Sequence, residues 1–498
     1  MALKIGISGL RGTVDAPSPA LTPDVIVAYT AAFGTWLRRK APSPLVAVGR
    51  DARCSSPMIA RLVCGTLQAL GLRVADLGQT LTPTVQFFTA NAPEVMGGIM
   101  VTASHNPLTW NGLKFLDARG RFLSADVWAT LRQFVEEAKW PWVSLADVAG
   151  VEMQGEAAFI SHLEAVLATV LADAIRRARL RVALDACNSS AVRWIELFKA
   201  LGCDVVACHT EQHGFFARPP EPLPSHLSTL CALVPQAGCH VGFAADPDGD
   251  RLVLVDERGT PVSEEHTVVL CAQERLNSRQ GPIVVNVVTT HAVEEMFPHV
   301  PVHRTPVGEM NVVNGVVQHG AVLGGEGSGG IIVPDIHLAR DGMAAAALVL
   351  NLLAQEGQPL SALVARIPPW HPVKARLVPE DTSANELRAL FTDWQASPPR
   401  VAVIPSGVHV EGTHAHLRLA VDDEYVHLEA HLPDGRTTRA TAPAGPITPI
   451  VAHLATTTPE VNLCDGLKLI GPDAWLSLRP SNTEPIVRLM GEIRGVER

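Results

Sequence analysis

One unit recurs along this sequence: a short strand rich in β-branched residues, a loop containing Gly, Asp or Asn, and a helix rich in Ala and Leu. It is found at residues 45–70, 181–201 and 282–297. A strand that alternates with a helix in this way is typical of α/β layers whose sheets are largely parallel. The recurrence therefore predicts an α/β protein.

The pattern changes after Pro368-Pro369-Trp370. The chain becomes rich in Pro and Thr, and polar and apolar residues alternate at 414–420 and 425–431, which is typical of an antiparallel sheet with one solvated face. A length of 498 residues suggests three or four domains. We predict three α/β domains and a smaller C-terminal α+β domain, at residues 1–150, 151–260, 261–370 and 371–498.

The charge of the chain limits its partners. The net charge is −10 and the isoelectric point is about 6.0. No basic stripe is present and aromatic residues make up only 5% of the chain, so nucleic-acid binding through phosphate neutralisation is not expected. An anionic ligand would have to be held by local arginines and backbone amides.

Cysteine usage and apolar runs predict a cytoplasmic protein without a membrane partner. The nine cysteines are an odd number without a C-x-x-C pair, which fits reduced thiols. The first residues lack the long apolar core of a signal peptide. The longest apolar helical stretch, 343–353, is too short to span a bilayer and predicts a buried helix.

Ser104 lies where a strand-like run breaks off. The apolar residues 98–100 lead into Val101-Thr102-Ala103-Ser104-His105-Asn106-Pro107, a polar segment that ends at proline. Ligands bind at strand ends in open α/β sheets, so a serine there, with a histidine beside it, could be a nucleophile or a phosphate carrier. An ordinary polar turn explains the same residues, and this segment alone leaves both readings open.

Three aspartates alternate in Asp246-Pro247-Asp248-Gly249-Asp250-Arg251. A calcium loop of the EF-hand type would need glycine where this chain has Arg251, and helices rather than strand-like runs on both sides. Two like charges about 4 Å apart repel by roughly 4 kcal/mol at an effective dielectric constant near 20. A divalent cation, above all Mg²⁺, removes that repulsion. Carboxylates that splay into water are the alternative, but Pro and Gly favour a tight turn.

Two further loops carry groups suited to a sugar phosphate. Arg479-Pro480-Ser481-Asn482-Thr483-Glu484-Pro485, followed by Arg488, packs hydroxyls, an amide and backbone N–H groups between two arginines, which suits a phosphate dianion. An ordinary polar turn is the alternative. In the glycine-rich segment 324–330 the backbone could approach a ligand closely, and Glu326 and Ser328 could bond sugar hydroxyls. A flexible connection explains that segment equally well.

Taken in chain order, these motifs resemble those of the α-D-phosphohexomutases, the family of phosphoglucomutase, phosphomannomutase and phosphoglucosamine mutase. The resemblance spans essentially the whole chain and also takes in Ser8-Gly9-Leu10-Arg11-Gly12 and Asn111-Gly112-Leu113-Lys114. It implies three similar α/β domains with mixed sheets and a smaller fourth domain around a central active-site cleft. The family's sugar loop often ends in histidine, where this chain has Gly330.

The resemblance also implies the groups at the reacting end of the substrate. Ser104 would carry the phosphoryl group. Mg²⁺ would be held by an oxygen of phosphorylated Ser104 and by three carboxylates, those of Asp246, Asp248 and Asp250. The reactive phosphate would be bound by Arg11 and Arg251. The proton of the attacked hydroxyl would be transferred by His105 or Lys114.

The remaining matched residues would bind the substrate. Glu326 and Ser328 would contact sugar hydroxyls. The phosphate that does not react would be bound by a group of donors near the C-terminus: Arg479, Ser481, Asn482, Thr483 and Arg488.

The activity implied is the interconversion of hexose 1-phosphate and hexose 6-phosphate through a hexose 1,6-bisphosphate. The sequence leaves open whether the hexose is glucosamine, glucose or mannose, and whether the protein is a monomer or a dimer. Two alternatives remain, a phosphoserine-dependent sugar phosphatase and a non-catalytic protein that binds sugar phosphates. The phosphatase does not explain a second phosphate site, and a non-catalytic descendant would be expected to have lost the serine or an aspartate.

Overall fold

Three β-sheets with accompanying helices precede a C-terminal antiparallel sheet in the chain. The structure is a computed structural model and describes residues 3–6, 8–15, 20–379, 384–404, 407–422, 424–443, 445–457, 459–480 and 486–495. The chain divides into two compact units. The first comprises Met1–Val284, Val300–His303 and Val312–Ile367, and the second comprises Val285–His299, Arg304–Asn311 and Pro368–Arg498.

The first sheet is mixed and has seven strands. They are β1 (Lys4–Gly6), β2 (Gly9–Thr13), β3 (Leu45–Arg50), β4 (Arg73–Gln79), β5 (Val95–Val101), β6 (Trp110–Asp117) and β7 (Val151–Met153). Their order is β1-β2-β6-β5-β3-β4-β7. Strands β5, β3, β4 and β7 run parallel to one another, whereas β6, β2 and β1 pair antiparallel. The helices that go with this sheet are α1 (Pro23–Arg38), α2 (Ser56–Ala69), α3 (Thr82–Asn91) and α4 (Ala125–Glu137).

The second sheet has four strands, β8 (Arg181–Asp185), β9 (Asp204–Cys208), β10 (Val241–Ala245) and β11 (Leu252–Asp256). In the order β11-β10-β8-β9 only β11 is antiparallel to its neighbour. The helices of this part of the chain are α5 (Gly155–Leu167), α6 (Ala172–Ala178), α7 (Trp194–Ala200) and α8 (Ser228–Gln236). The aspartate motif forms the loop between β10 and β11, so all three carboxylates lie at one end of this sheet.

The third sheet also has four strands, β12 (Ile283–Asn286), β13 (Val302–Thr305), β14 (Leu323–Glu326) and β15 (Gly330–Ile332), in the order β13-β12-β14-β15. The helices of this part of the chain are α9 (His266–Ser278), α10 (Ala292–Met296), α11 (Glu309–His319), α12 (Gly342–Glu356) and α13 (Leu360–Val364). The glycine-rich segment forms the tight hairpin between β14 and β15.

The C-terminal sheet has ten strands. They are β16 (Trp370–Pro379), β17 (Arg400–Ile404), β18 (Gly407–Glu411), β19 (His416–Val421), β20 (Tyr425–His431), β21 (Thr437–Pro443), β22 (Glu460–Asn462), β23 (Leu467–Ile470), β24 (Ala474–Pro480) and β25 (Val487–Arg494). The order is β17-β18-β19-β20-β21-β16-β25-β24-β23-β22, with antiparallel pairing throughout. Helices α14 (Ala384–Ala396) and α15 (Thr448–Leu454) belong to this part, and an apolar core that includes Trp394 and Ile450 lies against the sheet.

The predicted α/β class and the antiparallel C-terminal domain are confirmed. The helix predicted in the unit at 181–201 begins as a 3-10 turn at Ser190–Arg193 and becomes α-helical only at Trp194. Ser189 Oγ and the Ser190 N–H both donate to the Pro247 carbonyl, at 2.6 and 3.3 Å, and so tie this start to the aspartate loop. The domain boundaries near residues 150, 260 and 370 stay predictions.

The apolar helix predicted at 343–353 is α12, which is buried from Gly342 through Leu353. Among the described residues, no single helix is long and apolar enough to cross a membrane. Helices α5 and α6 together would suffice by length and composition, but they bend by 83° at the break between them.

Candidate active site

Ser104 lies directly after β5 and exposes only 1% of its surface. Its φ of +51° is in the left-handed region, which costs a residue other than glycine roughly 1–3 kcal/mol and is common at functional sites. The Ser104 N–H donates to Thr102 Oγ1 at 2.9 Å, and Ser104 Oγ donates to Asp246 Oδ2 at 3.0 Å. An exposed polar turn does not describe this segment, because the hydroxyl is buried and directed at the aspartate loop.

The loop between β5 and β6 contains Ser104 and is called the serine loop below. Its backbone is bound by Arg53, a residue that the sequence motifs did not mark. Its guanidinium has five N–H donors. One donates to Asp51 Oδ2, and the other four donate to backbone carbonyls of the loop, those of Ser104, Asn106, Pro107 and Trp110, at 2.6 to 3.0 Å. Asp51 also accepts from Ser56 Oγ and Thr102 Oγ1. Arg53 therefore fixes the backbone of the serine loop.

Replacing Arg53 with glutamine is expected to lower the free energy of unfolding by about 3 to 5 kcal/mol, because the buried carboxylate of Asp51 would lose its cation. Asp51 and Arg53 are both 0% exposed. Urea denaturation followed by circular dichroism measures the change. Arg61→Gln, on the exposed surface of α2, is the control and should change the value by less than about 0.5 kcal/mol. An Arg53→Gln protein that unfolds at the wild-type urea concentration would contradict this role.

The three aspartates of the loop between β10 and β11 converge. Asp246, Asp248 and Asp250 are all 0% exposed, and one oxygen from each lies within 4.8 Å of the other two. Gly249 makes the turn with a φ of +72°, and the Asp250 N–H donates to Asp246 Oδ1 at 3.1 Å. The carboxylates are therefore held together and do not splay into water.

The carboxylate oxygens of this triad are used unequally. Asp248 Oδ2 accepts from Thr82 Oγ1 at 2.6 Å and from Lys114 Nζ at 2.7 Å. Asp250 Oδ2 accepts from Lys114 Nζ at 3.2 Å and from Arg340 Nη2 at 2.8 Å. The Oδ1 atoms of Asp248 and Asp250 are buried, and neither has a hydrogen-bond partner within the part of the chain that the structure describes. Such oxygens are the ligands that hard divalent cations prefer.

The electrostatics agree with a cation site. Burial, together with the charges of Asp248 and Asp250, raises the pKa of Asp246 well above its ordinary value. Burial acts in the same direction on Asp250, but the charges of Arg340 and Lys114 outweigh it and hold the pKa of that carboxyl below its ordinary value. A divalent cation would keep all three carboxylates ionised and would satisfy the two unpartnered oxygens. The triad fits such an ion.

The residues predicted to act on the proton and the phosphate lie either beside Ser104 or on the aspartate loop. His105 Nδ1 is 3.3 Å from Ser104 Oγ. Burial lowers the pKa of His105 well below its ordinary value, and the charges of Arg251 and Arg11 add to this effect, which favours the neutral imidazole. Lys114 differs, because the carboxylates of Asp248 and Asp250 outweigh its burial and raise its pKa. Arg11 Nη1 donates to Asn106 Oδ1 at 3.0 Å, and Arg251 Nε lies 3.8 Å from Asp250 Oδ1.

The glycine-rich segment is a fixed hairpin and not a flexible connection. Glu326 ends β14 and pairs with Gly330 at the start of β15. The Leu252 N–H, just after the aspartate loop, donates to the Gly329 carbonyl at 3.0 Å. The Glu326 side chain is buried and accepts from Arg340 Nη1 at 3.0 Å, and Ser328 is half-buried at the tip. The hairpin thus places Glu326 beside the aspartate loop.

The second unit carries the predicted phosphate-binding arginines. Arg479 on β24 pairs directly with Arg488 on β25, and Arg488 pairs in turn with Arg376 on β16. Like charges directly opposite one another destabilise a sheet, and the Asp465 carboxylate, 3.6 Å from Arg479 Nη1, offsets part of the charge of this row. Ser481, Asn482 and Thr483 lie outside the described residues. The motifs did not mark Arg376, because only the strand register brings it beside Arg488.

Comparison with known proteins extends over the whole chain. Three phosphoglucomutase/phosphomannomutase α/β/α domains match it, domain I at residues 2–141, domain II at 157–259 and domain III at 263–370. A probable phosphoglucosamine mutase of Methanosarcina acetivorans is 32% identical over 73% of this chain and 80% of its own length. Another probable phosphoglucosamine mutase, from Methanopyrus kandleri, is 29% identical over 100% and 95%.

A solved structure shares the fold. The X-ray structure of a phosphoglucomutase/phosphomannomutase family protein from Burkholderia thailandensis superposes with a TM-score of 0.74, at 24% sequence identity, and the match covers 98% of this chain and 92% of that one. The three matched domains and the identity to the relatives lead to one assignment. This chain belongs to the phosphoglucomutase/phosphomannomutase family, the α-D-phosphohexomutases, and is an enzyme of the mutase type.

Proposed function

We propose that this protein interconverts the 1-phosphate and the 6-phosphate of a hexose, with Ser104 as the phosphate carrier and a hexose 1,6-bisphosphate as the intermediate. One observation carries the proposal: the buried Ser104 hydroxyl donates to Asp246 at 3.0 Å, within a triad of carboxylates that fits a divalent cation. A serine with a cation site beside it can exchange a phosphoryl group, because phosphoryl transfer depends mainly on positioning and charge stabilisation.

The reaction has two mirrored transfers. In the first, the P–O bond to Ser104 breaks while a P–O bond forms to the free hydroxyl of the hexose monophosphate. The hydroxyl proton passes to a base, and Ser104 Oγ leaves with the bonding electrons and takes up a proton. The bisphosphate then reorients, and its other phosphate returns to Ser104 by the same steps in reverse.

Geometry supports an assignment of the proton-handling group. His105 Nδ1 is 3.3 Å from Ser104 Oγ, so we propose that His105 transfers the proton. Lys114 donates to Asp248 and Asp250, and we assign it to holding those carboxylates in place. We assign Arg11 and Arg251 to the charge of the transferring phosphate. A divalent cation bound by Asp246, Asp248, Asp250 and phosphorylated Ser104 would neutralise charge on the transferring phosphoryl oxygens.

The substrate would be read by two groups. We propose that Glu326 and Ser328 bind sugar hydroxyls, as Glu326 lies buried beside the aspartate loop. The non-reacting phosphate would be bound by the arginine row and the predicted loop after it: Arg376, Arg479, Arg488, Ser481, Asn482 and Thr483. The names of the relatives make glucosamine, glucose and mannose phosphates the substrates to test.

The test compares kcat/KM for the three hexose 1-phosphates, each with its 1,6-bisphosphate as activator and with Mg²⁺ present. We expect the 6-phosphate of at least one hexose to form without release of inorganic phosphate. Release of inorganic phosphate at the rate of substrate loss would show a phosphatase instead. Binding of the bisphosphate without conversion of any of the three would show a non-catalytic binding protein. The highest kcat/KM identifies the hexose.

A further inference from the structure

Arg340 connects two separate segments of the candidate site. Its side chain is only 11% exposed, and Nη2 donates to Asp250 Oδ2 at 2.8 Å while Nη1 donates to Glu326 Oε2 at 3.0 Å. A guanidinium can do this because its donors form a rigid planar fork. One side chain therefore connects Asp250, a predicted metal ligand, to Glu326, which is predicted to contact sugar hydroxyls.

The stem of Arg340 is seated on Gly330. A Cβ atom on Gly330 would lie 2.4 Å from Arg340 Cδ and 3.2 Å from Cγ, so any larger residue at position 330 would displace the stem. Because Gly330 is the cross-strand partner of Glu326, the arginine packs over the same hairpin whose carboxylate it binds. Glycine at this position leaves the space that Arg340 needs.

The backbone that carries Arg340 is anchored by the next residue. Asp341 Oδ2 is hydrogen-bonded to His162 Nε2 at 2.8 Å and to His337 Nε2 at 3.2 Å, all of them buried. Asp341 Oδ1 accepts from the Met343 and Ala344 N–H groups and so caps α12. Arg340 thus extends from a rigid point and is held at both ends.

Charge explains why an arginine is needed there. The Glu326 and Asp250 carboxylates accept from the two Nη atoms of a single guanidinium, and two carboxylates held that near each other repel unless a cation lies between them. The Arg340 guanidinium is that cation, since it is bonded to both. Without it, repulsion would turn the Glu326 carboxylate away from the aspartate loop.

We propose that Arg340 is a substrate-positioning residue, which fixes the Glu326 carboxylate against the aspartate loop. The sugar ring is thereby bound at a fixed position relative to the transferring phosphate. This inference rests on the proposed function and adds a residue to it. It predicts that substrate binding depends on the fork of Arg340, and not only on its positive charge.

The first test replaces Arg340 with glutamine and with lysine. We expect KM for the preferred hexose 1-phosphate to rise roughly 10- to 100-fold in Arg340→Gln, the effect of losing charge-assisted hydrogen bonds. Arg340→Lys should keep the charge but recover only part of the binding. Binding of hexose 1,6-bisphosphate to Ser104→Ala, with and without Arg340→Gln, gives the same comparison by calorimetry without turnover. Arg258→Lys, on an arginine with 66% of its side chain exposed that bonds Asp256, is the matched control.

The second test uses Gly330→Ala, which leaves Arg340 in the chain but displaces its stem. We expect this variant to raise KM as well, and to add little when combined with Arg340→Gln, because both changes remove the same interaction. If the fold increases in KM of the two single variants multiply in the double variant, the two changes act independently and the proposal is overturned. If Arg340→Gln does not fold, as judged by circular dichroism, Arg340→Lys and Gly330→Ala decide.

Failure of this inference can be told apart from failure of the proposed function. A wild-type protein that converts none of the hexose phosphates overturns the proposed function. A wild-type mutase whose folded Arg340→Gln and Arg340→Lys variants keep KM and bisphosphate affinity overturns only the role of Arg340.

Discussion

Ser104→Ala is expected to abolish isomerisation, with kcat lowered by a factor of at least about 10⁴, since loss of a covalent nucleophile has effects of that size. The methyl group cannot form the P–O bond that each transfer requires. The fold should survive, because the bonds from Arg53 to the loop carbonyls and from the Ser104 N–H to Thr102 remain when the single bond from the Ser104 hydroxyl to Asp246 is lost. The free energy of unfolding is expected to change by no more than about 1 kcal/mol.

Two measurements check this prediction. Turnover is followed as formation of hexose 6-phosphate, and intact-mass spectrometry after incubation with hexose 1,6-bisphosphate reports phosphate on the protein. Wild type should gain one phosphate and Ser104→Ala none. Ser144→Ala, at an exposed serine that precedes a short 3-10 helix, serves as the matched control and should behave as wild type in both. Isomerisation by Ser104→Ala at the wild-type rate would disprove the carrier role.

Much of the fold could be predicted because the signal is local. Strand β20 begins and ends at the residues of the alternating run predicted at 425–431, since that run is bounded by loop residues. The aspartate triad could be predicted for the same reason. Its three carboxylates are two residues apart, and the flanking strands were recognisable, so their convergence follows from one tight loop.

The contacts that were missed join residues far apart in the sequence. Arg53 is 51 residues from Ser104, and Arg340 is 90 residues from Asp250. A hydrogen bond of this kind depends on which strands are neighbours, and periodicity within a segment does not contain that information. Arg53 had a partial signal, as Asp51 and Arg53 follow the buried strand β3 at a strand end, where ligand groups are expected. Arg376 had none.

Gly330 is a second case in which the structural reason for a residue lies outside its own segment. The sequence marks Gly330 as a departure from the family's sugar loop but gives no reason for it. In the structure the reason is the Arg340 stem, which a Cβ on Gly330 would approach to 2.4 Å. A residue's identity is here explained by a neighbour ten positions away, on the other side of a turn.

Removal of divalent cations is expected to stop turnover, with kcat lowered by roughly 10³-fold or more. Without a cation, the transferring phosphate would lie against three buried carboxylates, and each pair of like charges about 4 Å apart costs roughly 4 kcal/mol at an effective dielectric constant near 20. Lys114 and Arg340 offset only part of this, since both donate to the Oδ2 atoms of the triad. The protein is treated with EDTA, dialysed, and assayed as Mg²⁺, Mn²⁺ or Ca²⁺ is added back. EDTA already saturated with Mg²⁺ is the control.

A substitution distinguishes cation binding from a purely structural role of the triad. Asp248→Asn removes one charge while keeping a side chain that can still accept from Thr82 and Lys114. If Asp248 holds a cation, this variant should need a higher Mg²⁺ concentration for half-maximal rate, by roughly 10-fold or more, and regain part of its activity when Mg²⁺ is raised. Asp434→Asn, at an exposed aspartate, should leave the Mg²⁺ requirement unchanged. A wild-type rate that survives exhaustive chelation would show that the triad is not a metal site, and the buried Oδ1 atoms of Asp248 and Asp250 would then have to be satisfied by water or by substrate.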